Sequence, residues 1–160
     1  MVLYSYLLVF LIIFSSDVDK TEYSVSNAIS LTHPIQSEVQ ILSGFGKRVH
    51  PVLQTERKHT GIDYRVEFGD PVFSAAAGEV LKISYDNSYG HYLEIAHDNG
   101  FVTRYAQLSE ISDDMKVGIS VDESQQVALA GNSGQTTGTI LHFELLLDGQ
   151  AIDPILFFEN

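Results

Sequence analysis

Six histidines, twenty-one Asp and Glu side chains and no cysteine set the range of chemistry open to this chain. The segment His59-Thr60-Gly61-Ile62-Asp63 places an imidazole and a carboxylate four residues apart. Gly61 and the β-branched Thr60 and Ile62 disfavour a helix, so the pair belongs to an extended strand or a bend, where positions i and i+4 still share a face. Two such donors on one face are two-thirds of a three-ligand zinc site. His142 is the candidate for the third, because it sits in the apolar run Ile140-Leu141-His142-Phe143-Glu144-Leu145, where an unpaired imidazole is costly. On spacing alone a second account stands beside this one: His59 and Asp63 form a surface pair, and His142 is a hydrogen-bonded core residue.

The composition narrows the field. Without cysteine there is no disulfide, Cys-ligated zinc, iron–sulfur cluster, thiol nucleophile or lipoprotein acylation, so any metal must be held by His and carboxylates. The formal charge of −12 repels polyanions at long range, which makes nucleic acid a remote option, and none is expected as a partner. At 160 residues and 44% apolar content the chain suits one folded domain with a real core.

The elements that must position these side chains read as strands. Runs rich in β-branched and aromatic residues occur at Glu79 to Tyr85, His91 to His97, Phe101 to Leu108, Gln126 to Ala130 and Ile140 to Leu147. Asn99-Gly100 and Asp148-Gly149 supply hairpin turns between and after them. No stretch of ten residues carries a 3.6-residue apolar period, so the expected class is all-β and mostly antiparallel. The chain divides into a signal-like or anchor segment (1–16), a polar tether (17–39) and the β domain (40–160). As a helix, the apolar residues 1–14 reach about 21 Å, short of the ~30 Å hydrocarbon core, and suit the apolar part of a secretory signal. The expected location is outside the cytoplasm, in the periplasm or cell envelope, with membrane tethering as a variant.

Several motifs in order carry a resemblance. Ser43-Gly44-Phe45-Gly46-Lys47-Arg48-Val49-His50-Pro51, His59 to Asp63, Gly69-Asp70-Pro71-Val72 with Ala75 to Val80, Tyr89-Gly90, Ile95 to Gly100, Tyr105 to Ser109, and Gly131 to Gly138 with His142-Phe143-Glu144 are similar to the M23 family of zinc metallopeptidases, of the LytM and lysostaphin type. The resemblance covers about residues 40 to 158. It implies an all-β domain whose antiparallel sheet floors a narrow groove, and hydrolysis of peptides in bacterial peptidoglycan. It also implies Zn2+ as cofactor, with His59, Asp63 and His142 as ligands and one position left open, as in catalytic zinc sites.

Two departures from the family pattern accompany it. The family's Tyr-Ala-His-Leu-Ser is here Tyr105-Ala106-Gln107-Leu108-Ser109, and its Thr-Gly-Pro-His-Leu-His-Phe-Glu is Thr137-Gly138-Thr139-Ile140-Leu141-His142-Phe143-Glu144. Both non-ligand catalytic histidines are thereby replaced, by Gln107 and Ile140. Glutamine can donate an N–H to a developing oxyanion but cannot carry a proton, and isoleucine can do neither. His50, His91 and His97 occupy positions unsuited to replace them. Glu144 shares the face of His142 and is expected to orient its imidazole. Arg48, Tyr89 and Tyr105 are candidates for the groove wall, with packing the preferred role for the tyrosines because of the area they bury. The expected function is a zinc-binding domain that acts on or binds peptidoglycan peptides, hydrolysis-impaired and regulatory, with an envelope protein as a further partner. A working zinc metalloendopeptidase with altered catalytic groups is the alternative, and a metal-free interaction module the third.

Overall fold

The structure, a computed structural model, describes residues 29–49 and 56–159. The signal-like segment 1–16 and His50 lie outside the described residues. Among the described residues, twelve strands follow in order: β1 (Ile41–Ser43), β2 (Gly46–Val49), β3 (Glu56–His59), β4 (Ile62–Arg65), β5 (Pro71–Phe73), β6 (Gly78–Asp86), β7 (Gly90–Ala96), β8 (Phe101–Ile111), β9 (Ser120–Val121), β10 (Gln126–Ala130), β11 (Ile140–Leu147) and β12 (Gln150–Ile152). The helical segments among the described residues are two short 3-10 turns, Asp98–Gly100 and Pro154–Phe157. All strand pairings are antiparallel, which bears out the expected all-β class.

The main sheet runs in the order β1-β4-β11-β8-β7-β6-β9, with β12 beside β11 and β10 bridging β5 and β8; β2 and β3 form a separate two-stranded sheet. The turn chemistry agrees with the sequence. Asn99 and Gly100 adopt φ of 59° and 80°, and Asp148 and Gly149 adopt 50° and 78°, the left-handed conformations that tight hairpins require. At the β6–β7 turn, Asp86 Oδ1 accepts from the N–H groups of Ser88 (2.8 Å) and Tyr89 (2.7 Å), a side-chain-stabilised turn of the kind Asp favours.

Strand periodicity sorts the side chains of β11. Leu141, Phe143 and Leu145 enter the core with Ile62, Tyr64, Leu93, Ile95 and Tyr105. The alternate residues His142 and Glu144 take the other face, opposite Asp63 on β4 and Arg104 on β8. Gly61, between β3 and β4, lets the backbones meet: a Cβ there would lie 2.2 Å from the Phe143 carbonyl oxygen and 2.9 Å from Glu144 Cγ.

The packed body begins earlier than residue 40. Leu31 and Ile35 are core residues, and Leu31 exchanges backbone hydrogen bonds with Phe157 and Glu159. His33 stacks on Phe158 at 4.1 Å and approaches the Tyr64 hydroxyl at 2.8 Å. Residues 29–39, assigned to a tether on their polar composition, are therefore seated in the domain by a few well-spaced apolar side chains that meet the C-terminal segment.

His97 anchors the back of the sheet. Its Nδ1–H donates to the Ala77 carbonyl (2.7 Å), and its Nε2 lies 2.8 Å from the Thr103 hydroxyl, which is 3.0 Å from that of Tyr105. Burial lowers its pKa, and the bond to Ala77 and the charge of Asp98 only partly oppose this.

Two stability measurements test this packing. Gly61→Ala forces backbone apart and should cost about 2–3 kcal/mol, read as a lowered urea midpoint; an unchanged midpoint would disprove the close approach. For His97, both folded and unfolded chains hold a neutral ring above pH ~6.5, whereas below it the unfolded chain takes up a proton that the folded one resists. The stability difference between wild type and His97→Gln should therefore be constant above that pH and shrink as pH falls. A difference that is flat through the acid range would contradict the buried, neutral assignment.

Candidate metal centre

The bend at Thr60-Gly61 turns the chain from β3 into β4, so His59 closes one strand and Asp63 lies in the next. Of the two geometries open to this segment, the bend is the one realised. His59 Nε2 lies 3.2 Å from Asp63 Oδ1, and His142 Nδ1 lies 2.8 Å from the same oxygen and 3.3 Å from His59 Nε2. Metal–ligand bonds of about 2.0–2.1 Å in a tetrahedron place donor atoms ~3.3 Å apart, so this triangle fits a zinc-sized ion with little movement. Among the described residues, His59, Asp63 and His142 are the group so arranged.

Both imidazoles are held in the tautomer that such an ion needs. His59 donates Nδ1–H to the Gly44 carbonyl at 2.6 Å, which turns Nε2 toward the centre. His142 donates Nε2–H to Glu144 Oε1 at 3.0 Å, which turns Nδ1 toward it. Acceptors behind metal-binding histidines play this part in general. Glu144 is almost fully buried and is further held by the hydroxyls of Thr60 and Tyr89, the latter at 2.9 Å, and by Arg104 at 2.5 Å.

The electrostatics favour positive charge at this point. Burial would raise the Asp63 carboxyl, but hydrogen bonds and charge from His142 and His59 outweigh it and hold the group well below the usual carboxylate range. Burial likewise opposes charging of His142, yet its bonds to Asp63 and Glu144 win and raise its pKa. Burial raises Glu144, and its bonds to His142 and Thr60 with the charge of Arg104 more than reverse this. Two carboxylates thus flank an imidazole in a setting that a divalent cation satisfies.

The remaining expected site residues divide. Tyr89 borders the centre, its ring 5.8 Å from that of His142. Tyr105 does not line the groove: it is fully buried on the core face, packed against the Phe143 ring at 5.3 Å, with its hydroxyl accepting from the Ala75 N–H. The cause is strand parity, since Ala106 is the residue opposite His142 and its neighbour must face the other way. Arg48 belongs to β2, and its side chain lies outside the described residues. Ile140 opens β11 two residues before His142, on the same face.

Gln107 is placed by backbone groups. Its Nε2 donates to the Ser88 carbonyl (3.0 Å), its Oε1 accepts from the Gly134 N–H (2.7 Å), and its own N–H donates to the Tyr89 carbonyl (2.7 Å). These bonds hold it at a φ of 65°, unusual for a non-glycine residue. Thr60, Arg104 and the Gly44 carbonyl escaped the sequence reading. Arg104 had a signal, as a charged residue in an apolar strand with the parity of Ala106; Thr60 and Gly44 act through contacts that spacing does not reveal.

Comparison with known proteins agrees with this geometry. Residues 57–154 match the sequence profile of Peptidase family M23. The chain is 35% identical over 138 residues to the peptidoglycan DD-endopeptidase ShyA of Vibrio cholerae, covering 86% of this chain and 31% of that protein. It is 38% identical over 116 residues to the DD-carboxypeptidase/endopeptidase Mpg of Neisseria meningitidis, covering 72% of this chain and 26% of that one. The crystal structure of a zinc-containing peptidase from Vibrio cholerae superposes with a TM-score of 0.73 at 36% identity, over 79% of this chain and 39% of that one. The chain thus spans a third or less of the length of these two curated relatives. The profile match, the identities and the His59/Asp63/His142 triangle lead to one conclusion: this chain belongs to Peptidase family M23.

Proposed function

We propose that the chain is a zinc-binding domain that engages the peptides of bacterial peptidoglycan and hydrolyses them slowly or not at all, in a regulatory role at the cell envelope. When bound, zinc supplies activation of water near neutral pH and polarisation of an amide carbonyl. His59, Asp63 and His142 hold the ion, while the Gly44 carbonyl and Glu144 keep the two rings in the binding tautomer. The peptidoglycan substrate class is supported by the relatives, two of which are named as endopeptidases.

The observation that carries the reduced rate is the bonding of Gln107. Its amide is engaged at both ends by Ser88 and Gly134, and a glutamine has no proton to exchange near neutral pH. Ile140 places an aliphatic branch on the ligand face. General acid or base assistance contributes roughly 10²- to 10⁴-fold, which is the expected deficit. Residues 1–16 support export as the context for this role. The second reading, a working endopeptidase with altered catalytic groups, draws on the 35% and 38% identities to the named endopeptidases.

Zinc analysis and digestion of purified peptidoglycan test both. One zinc per chain, lost in His142→Ala, is expected, together with peptidoglycan binding and turnover at least about 10²-fold below an active relative. Fast cleavage that a chelator stops would instead establish the second reading, and a zinc content near zero would remove both. The double variant Gln107→His with Ile140→His should raise turnover by about 10²-fold or more, each single change doing little because such groups act as a unit. The same change releases Ser88 and Gly134, so a thermal midpoint is recorded alongside; a folded, zinc-loaded double variant with no gain contradicts the assignment of these two positions.

A further inference from the structure

We propose that Arg104 is a positioning residue for the metal ligand His142, acting through Glu144; this rests on the zinc reading above. The β-sheet register places Glu144 opposite Arg104, Arg104 opposite Glu94, and Glu94 opposite Lys82. Four neighbouring strands thus carry a transverse row of alternating charge that starts directly behind His142. Arg104 is the member that joins two carboxylates. Its Nη1 donates to Glu144 Oε2 at 2.5 Å, and its Nε and Nη2 approach Glu94 Oε1 at 2.8 and 2.7 Å. Nη1 also donates to the Tyr89 hydroxyl at 3.0 Å, and the guanidinium lies 4.7 Å from the centroid of the Tyr89 ring.

Division of labour between the Glu144 oxygens gives this row its consequence. Oε1 takes the His142 ring and the hydroxyls of Thr60 and Tyr89, while Oε2 takes Arg104. In this buried carboxylate, 1% exposed, the guanidinium on Oε2 fixes the plane of the group and so the direction in which Oε1 meets the imidazole. Without the guanidinium, Oε2 is no longer fixed and Glu144 can swing, and the Nε2–H of His142 then loses the acceptor that turns Nδ1 toward Asp63. The planar fork is what spans β11 and β7 at once. Lysine, a point charge on a flexible stem, cannot hold both carboxylates in fixed directions.

Zinc titration of the full chain against a chromogenic chelator, near neutral pH, tests this. Arg104→Gln should weaken zinc binding about 10- to 100-fold, the range for residues behind metal ligands. Arg104→Lys, which keeps the charge and is the variant to use if the glutamine form fails to fold, should weaken it in the same direction. Arg104→Gln in a Glu144→Gln background should cause no further loss, because its effect passes through Glu144. Lys82→Gln, at the far end of the row, should bind as wild type does. A purely structural role would lower the thermal midpoint of the metal-free protein and leave zinc affinity unchanged. Unaltered affinity in the arginine variants, or losses that add to that of Glu144→Gln, would overturn the proposal while the zinc reading stands. Failure of the wild type itself to bind zinc would remove the zinc reading, and this inference with it.

Discussion

Everything at the site depends on the register between β4, β11 and β8. His142 is directly opposite Asp63 on one side and Ala106 on the other. Because side chains alternate across a strand, a slip of one residue would send His142 into the core and bring Leu141 and Phe143 out to the groove. The core prevents this: Leu141, Phe143 and Leu145 are all fully buried, so the same packing that stabilises the sheet also aims the ligand. The Asp148-Gly149 hairpin holds β12 in the matching register with β11, with Leu147 opposite Gln150. Metal geometry is in this sense a by-product of hydrophobic burial on the opposite face.

That burial also explains which parts of the molecule were legible from sequence. β10 and β11 have the expected bounds because their apolar runs end at glycine-rich turns. The three metal ligands were legible as residue types and spacing, although their meeting depends on pairing between strands nearly eighty residues apart. Tyr105 was open between groove wall and packing, and its strand position opposite Phe143 decides for the core. Residues 29–39 were misread for a different reason. Leu31 and Ile35 are isolated in a polar stretch, and their partners, Phe157 and Phe158 among them, come from the far end of the chain. No local period can report a contact of that kind.

Gln107 occupies a structurally exacting position. Gly90, at a φ of 66°, has no room for a Cβ: one would lie 2.2 Å from Ser133 Oγ and 2.4 Å from the Gly134 nitrogen. Ser133 in turn donates to the Leu108 carbonyl and accepts from the His91 N–H. The β6–β7 turn and the loop before β11 are therefore packed against each other, with the Gln107 amide between them. A strained backbone held by three hydrogen bonds keeps these loops together beside the metal ligands.

The surroundings of the site give the three ligands a structural part as well. His59 ends β3, in the small two-stranded sheet, whereas Asp63 and His142 belong to the main sheet. An ion held by all three joins the two sheets beside the Thr60-Gly61 bend, adding to the chain connections at Gly44-Phe45 and Thr60-Gly61. Binding energy of that kind acts as folding energy, because the unfolded chain has no assembled site. The contacts that prepare the ligands serve this role: Gly44, from the loop before β2, holds His59, and Glu144 holds His142. A metal that ties the two sheets together in this way depends on its three ligands and on the acceptors behind them, so the site and the packing around it are one structure.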